Sequence, residues 1–133
     1  MFNVAREIHF SYGHRLLKHA GPCAHLHGHN ARVLIEISSE KLNQMNMVID
    51  FSEIRTTIGT WIKETLDHKT LLWDQDPLLP LLQKAGEPIV VMTENPTAEA
   101  LAHWIFEEAR KKRLAVSKVI LWETENSYAA YHE

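Results

Sequence analysis

A single cysteine, Cys23, stands in 133 residues, which excludes an intrachain disulfide framework and leaves a free thiol of the kind kept in a reducing compartment. No stretch approaches the roughly 18 consecutive apolar residues of a membrane-spanning helix. The first ten residues, MFNVAREIHF, carry charge where a secretory leader would carry an apolar run. A cytoplasmic protein with no membrane partner is therefore expected. Excess positive charge is also missing: 14 Lys plus Arg face 17 Asp plus Glu, a net of −3 with histidines neutral. Without clustered cations to displace counterions, no nucleic-acid partner is expected. The one dense basic run, Arg110-Lys111-Lys112-Arg113, reads as the solvated end of a helix, where it suits the dipole. Repeats, low-complexity tracts and linkers are lacking too. With 45% hydrophobic residues the chain can build a core without staples, so residues 1–133 are expected to form one domain. What is plentiful is histidine: nine in all, four of them between positions 19 and 29.

The hydrophobic pattern predicts four strands and two main helices. Phe2, Val4, Ile8 and Phe10 alternate along residues 2–12, and Ala31, Val33, Ile35 and Ile37 do so along 29–39. Residues 118–124 make a third strand, and Tyr128 to His132 return as a fourth after the Asn126-Ser127 turn. Ile54, Ile58, Trp61, Ile62 and Leu66 fall at helical spacing, predicting a helix over 52–67 capped by Asp50 or Ser52. Thr97 caps a second helix whose apolar stripe is Leu101, Trp104, Ile105 and Ala109. Residues 73–80 read as an irregular connection, Leu78–Leu82 as a short helical turn, and Ile89–Met92 as a short apolar run. The order predicts an α+β domain with helices on one face of an antiparallel sheet.

The chemistry concentrates in Cys23-Ala-His25-Leu-His27-Gly28-His29, with His14 upstream. On an extended chain, residues two apart point the same way with Cα atoms about 6.6–6.8 Å apart, so His27 and His29 can converge on one ion. If the first two strands pair as neighbours, His14 meets them at the same end of the sheet. Three neutral imidazoles leave one tetrahedral position open, the pattern of a catalytic zinc site, although nickel or iron also accept imidazole. His25 shares the parity of His27 and His29 and is a rival ligand by spacing. Cys23 has three readings: a fourth, structural metal ligand, a small buried hydrophobe, or a proton-transfer group beside a cation. Asp67-His68, ending the first helix, offers a carboxylate that can orient an imidazole. Glu123, inside an apolar strand, is either solvent-facing or a buried carboxylate receiving specific hydrogen bonds, for which an amidine-like N–C–NH2 edge is a fitting partner.

Six motifs taken in order carry a resemblance: Phe10-Ser-Tyr-Gly-His14, Cys23-x3-His27-Gly28-His29, Val48-Ile-Asp50-Phe51, Leu66-Asp67-His68, Pro96-Thr97-Ala98-Glu99 and Glu123-Thr124. Together they resemble the 6-pyruvoyltetrahydropterin synthase and 6-carboxytetrahydropterin synthase family over nearly the whole chain. The family's first motif usually has alanine before the ligand histidine, whereas Tyr12-Gly13 precede His14 here. The resemblance implies a tunnelling fold, a four-stranded antiparallel sheet with two helices on one face, closed into an oligomeric barrel by three subunits and doubled into a homohexamer. It implies Zn²⁺ on His14, His27 and His29, with Cys23 as proton acceptor. His68 and Glu123 become relay partners, Asp67 supports His68, and Glu123 also anchors the pterin, with Thr97 beside it in substrate binding. It further implies a site between subunits and 7,8-dihydroneopterin triphosphate as substrate. Arg15 and Lys18, close after His14, are the candidates for the triphosphate. The short chain favours the carboxy-forming, acetaldehyde-releasing lyase of queuosine synthesis. The pyruvoyl-forming synthase and a non-catalytic pterin- or metal-binding paralogue are the alternatives.

Overall fold

In the computed structural model, which describes residues 1–133, β1 (Phe2–His14) runs antiparallel to β2 (His27–Ser39) in unbroken register from Phe2 opposite Ser39 to His14 opposite His27. Side chains two apart share a face of a strand. Ile8, Phe10 and Tyr12 of β1 therefore lie with Ala31, Val33, Ile35 and Ile37 of β2 on one buried face. Beyond this pair come β3 (Lys69–Trp73), β4 (Ile89–Met92), β5 (Val116–Trp122) and β6 (Tyr128–His132), in the order β4-β3-β1-β2-β5-β6. β5 and β6 continue the antiparallel pairing, while β3 lies parallel to β1 and β4 parallel to β3.

The sheet is thus six-stranded and mixed, which corrects the expected four-stranded antiparallel sheet. The four predicted strands are present as β1, β2, β5 and β6. The two added strands are short: β4 is wholly apolar, and β3 carries Leu71-Leu72-Trp73 after Lys69 and Thr70, with Leu71 and Leu72 both buried. Adjacent apolar residues in both strands lack the alternation that marks a half-exposed antiparallel strand.

Three helices accompany the sheet. α1 begins at Phe51–Ile54, passes through a π turn at Arg55–Gly59 and continues as Thr60–Thr65. Its cap is Asp50, whose carboxylate accepts the Ser52 N–H at 2.8 Å. α2 (Leu78–Lys84) extends the predicted short turn, and α3 (Ala98–Lys111) starts where Thr97 Oγ1 accepts the Ala100 N–H at 3.1 Å. Ile54, Ile58, Ile62 and Leu66 join Leu101, Ala102, Ile105, Phe106 and Ala109 in the core cluster with the inward sheet residues. Each such fully buried Ile or Leu contributes about 1.5–3 kcal/mol. A Cβ at Gly59 would lie 3.2 Å from Ile8 Cδ1, so the missing side chain lets α1 lie close on β1. No helix is long and apolar enough to cross a membrane.

Candidate metal centre and active site

The register that sets His14 opposite His27 also sets Tyr12 opposite His29 and Gly13 opposite Gly28. By parity these side chains extend the core face beyond its apolar edge. A Cβ at Gly28 would lie 3.2 Å from the Tyr12 carbonyl oxygen, so the two backbones approach here because position 28 has none. The result is a cluster: His14 Nε2 lies 3.0 Å from His27 Nε2 and 3.2 Å from His29 Nε2. These three side chains form one group of ligand atoms, all within 4.8 Å of one another.

Their outer nitrogens decide what the cluster can do. His14 Nδ1 donates to the Pro96 carbonyl at 2.7 Å, and His27 Nδ1 donates to the His25 carbonyl at 2.7 Å. A carbonyl can only accept, so both neutral rings carry their proton on Nδ1 and turn bare Nε2 lone pairs toward each other. Two lone pairs 3.0 Å apart repel, and a cation between them converts repulsion into coordination. Tetrahedral zinc with bonds of about 2.0–2.1 Å places ligand nitrogens about 3.3–3.4 Å apart, a few tenths of an ångström from this geometry. An imidazole whose far N–H is fixed by a carbonyl is the usual state of a metal-bound histidine. The donor set fits zinc, and its chemistry also suits nickel or iron. Burial lowers the His14 pKa against the opposing pull of Pro96 and Glu123. Burial lowers that of His29 likewise, against Glu123. Both shifts keep the rings in the neutral, ligand-competent form.

Glu123 follows β5 directly, and its carboxylate reaches the cluster from the side. Oε1 lies 3.8 Å from His14 Nε2 and Oε2 3.9 Å from His29 Nε2. The Tyr12 hydroxyl donates to Oε1 at 2.9 Å. Burial, reinforced by the Glu123 charge, pushes the Tyr12 phenol well above its ordinary pKa. Of the two readings of Glu123, the hydrogen-bonded and partly buried one is observed, with 24% of the side chain exposed.

Asp67 and His68 arrive at the same end of the sheet. The His68 N–H donates to the Ser11 carbonyl at 2.7 Å, and Asp67 Oδ1 accepts the Ser11 N–H at 2.9 Å. His68 has a left-handed backbone, φ 59°, and its Nδ1 lies 3.1 Å from Asp67 Oδ1. Burial would raise the Asp67 pKa, but the Ser11 N–H, His68 and Lys63 outweigh it and hold the carboxyl below its usual range. The His68 side chain is 82% exposed and lines a cleft of about 520 Å³ with Tyr12, His27 and His29.

Other sequence-predicted residues fall elsewhere. Cys23 lies half-buried in a 3-10 turn, Pro22–Ala24, and neither it nor His25 belongs to the ligand group. His25 contributes only its carbonyl. Arg15 Nε donates to Asp76 Oδ2 at 2.7 Å and its Nη2 donates to Oδ1, so most of the guanidinium fork faces a buried carboxylate instead of an open site. Lys18 sits in a left-handed turn with Nζ 5.9 Å above the Trp73 ring. Thr97, its hydroxyl engaged in capping α3, borders with Glu123 a cavity of about 340 Å³. Sequence reasoning missed Tyr12, Asp76 and the two carbonyls. Tyr12 was legible, since it shares even parity with Phe10 and His14, whereas the carbonyls leave no mark in a sequence.

Comparison with known proteins places the chain in a family. The family model described as 6-pyruvoyl tetrahydropterin synthase matches residues 3–133. The 6-carboxy-5,6,7,8-tetrahydropterin synthase of Haemophilus influenzae is 32% identical over 142 residues, covering 100% of both chains. That of Rickettsia felis is 34% identical over 135 residues, 96% of this chain and 98% of the relative. Among solved structures, an uncharacterized protein of Wolinella succinogenes superposes with a TM-score of 0.85 at 27% identity, covering 99% of this chain and 98% of that one. The 6-pyruvoyl tetrahydropterin synthase of Caenorhabditis elegans gives 0.73 at 21% identity over 99% and 95% of the two chains, which shows the shared fold. With relatives above 30% identity aligned along almost its full length and the family model spanning all but two of its residues, the chain belongs to the 6-pyruvoyl tetrahydropterin synthase family.

Proposed function

We propose that the protein is a zinc-dependent lyase converting 7,8-dihydroneopterin triphosphate into 6-carboxy-5,6,7,8-tetrahydropterin, with release of acetaldehyde and triphosphate. The observation that carries the reading is the convergence of three Nε2 atoms at 3.0 and 3.2 Å, with two of the rings locked as Nδ1–H tautomers. The names of the Haemophilus and Rickettsia relatives support the carboxy-forming product.

When bound by His14, His27 and His29, zinc supplies a Lewis acid that polarises substrate oxygens. The remaining work falls to the chain's own groups. Glu123, with two oxygens of two lone-pair sites each, can accept Oε1-bound Tyr12 and still receive both N–H groups of a pterin's amidine-like edge. Thr97 shares that cavity with it. Asp67 holds His68 with Nδ1 toward its carboxylate, which leaves Nε2 to take or give a proton at the open cleft. Cys23 is the proposed proton acceptor at substrate carbon. Its thiol does not belong to the ligand group, and in keeping with the family resemblance we place the complete site between subunits of a homohexamer built as a dimer of trimers. Lys18, with its ammonium free of any ion pair, is the better placed of the two triphosphate candidates, because Arg15 is engaged by Asp76.

The test is incubation of zinc-loaded protein with 7,8-dihydroneopterin triphosphate, following pterins and acetaldehyde by mass spectrometry. Carboxytetrahydropterin with stoichiometric acetaldehyde is expected. A pyruvoyl product would move the protein to the triphosphate-eliminating branch. No turnover in a sample that contains zinc would refute the lyase reading and leave a pterin-binding role.

A further inference from the structure

Glu123 lies close enough to the histidine cluster to compete for the metal it would serve. Ligand atoms around tetrahedral zinc sit about 3.3–3.5 Å from one another. Its oxygens are 3.8 Å from His14 Nε2 and 3.9 Å from His29 Nε2, within about half an ångström of that spacing. A small rotation of the side chain would make the carboxylate a fourth ligand. That would close the position a substrate needs and take away the acceptor that faces the pterin cavity. One contact opposes the rotation. Tyr12 donates to Oε1 at 2.9 Å, from a ring that cannot follow the carboxylate. That ring is 3% exposed, stacked on Phe10 at 5.5 Å, and packed edge-on against His14 at 5.1 Å.

We propose that Tyr12 is a positioning residue that tethers Glu123 beside the three-histidine centre and outside its ligand set, keeping the fourth position open and the carboxylate turned to the substrate. The proposal rests on the metal reading of His14, His27 and His29. It assigns Tyr12 a role in the reaction through Glu123 and not by contact with the metal. The hydroxyl alone matters, because the ring's packing survives its removal. Loss of an outer-shell partner typically changes metal affinity 10–100-fold. Here the sign is unusual, since losing the hydroxyl releases a ligand.

The experiment compares wild type, Tyr12→Phe, Glu123→Gln and the double variant, each loaded with Co²⁺ for visible absorption and titrated with Zn²⁺ against a chromophoric chelator. Wild type and Glu123→Gln should share one Co²⁺ spectrum, because the carboxylate is not a ligand in either. Tyr12→Phe should show a shifted and altered ligand-field band and bind Zn²⁺ about 10-fold more tightly. In the Glu123→Gln background the same substitution should change neither spectrum nor affinity, which isolates the coupling. A Tyr12→Phe spectrum identical to wild type overturns the proposal, and so does a change that persists in the double variant. If Tyr12→Phe fails to fold, Glu123→Gln still decides: a Co²⁺ spectrum different from wild type would make Glu123 a ligand already and refute the tether. Wild type that takes up neither Co²⁺ nor Zn²⁺ would overturn the metal reading itself, a failure distinguishable from the tether's.

Discussion

Whether Arg15 is a substrate contact or a structural group is decided by its pairing with Asp76, and the two readings predict different stabilities. The Asp76 side chain is 0% exposed and that of Arg15 18%. Asp76 Oδ1 also accepts the Leu78 N–H at 2.8 Å at the start of α2. In Asp76→Ala, losing that cap-like bond costs about 1 kcal/mol, and losing the charged hydrogen bonds to Arg15 costs about 1.5–3 kcal/mol. The freed guanidinium can turn to water, so the total is about 3 kcal/mol. Arg15→Ala is worse, about 3–5 kcal/mol, because it strands a buried carboxylate. Unfolding entropy of about 2.1 cal/mol/K per residue gives about 0.3 kcal/mol per degree for this chain. Asp76→Ala should therefore melt about 10 °C below wild type and Arg15→Ala still lower, read by circular dichroism at fixed protein and zinc concentration. The double variant should be less destabilised than the sum of the singles.

The pair also sets an acid limb. The Arg15 hydrogen bond holds the Asp76 carboxyl below its usual range despite burial. A depressed folded pKa means the stabilisation is present above the unfolded value of about 3.9 and is lost as pH falls through the folded one. Melting temperature should thus be insensitive to this group between pH 6 and 8 and fall below about pH 4, with a shallower fall in Asp76→Ala. An Arg15→Ala protein that melts within about 2 °C of wild type, while KM for the triphosphate substrate rises, would refute the structural assignment.

Further outcomes follow from the cluster. His14→Ala removes the ligand that both other Nε2 atoms face, and zinc content after dialysis against a mild chelator should fall below a tenth of wild type, measured by atomic emission. Cys23→Ala should retain full zinc occupancy while turnover drops at least 100-fold; loss of metal would restore the reading of Cys23 as a ligand. Gly28→Ala sets a Cβ 3.2 Å from a backbone oxygen, forcing β1 and β2 apart between the ligands. It should cost about 1–3 kcal/mol in denaturant titration and weaken zinc binding in parallel.

Local physics alone determined much of this protein. Alternation along β1 and β2 fixed which residues face inward, because the side-chain period of a strand is two, and the same parity carries Tyr12, His14, His27 and His29 onto one face. Asp50 and Thr97 marked helix starts because a side-chain acceptor there satisfies an otherwise orphaned N–H. The histidine spacing left His25 in contention, and only the 3-10 turn at Pro22–Ala24, which directs its carbonyl to His27 Nδ1, removes it from the ligand group. β3 does not read as a strand and β4 reads only as a short apolar run, because short parallel strands owe their state to pairing with neighbours distant in the chain and not to a periodicity of their own. The Tyr12 to Glu123 hydrogen bond spans 111 residues and the Arg15 to Asp76 pair 61. Nothing within the window of a propensity or a motif connects such residues. Local sequence specified the faces and the ends of the elements, while tertiary packing chose which lone pairs, carbonyls and carboxylates would meet at the end of the sheet.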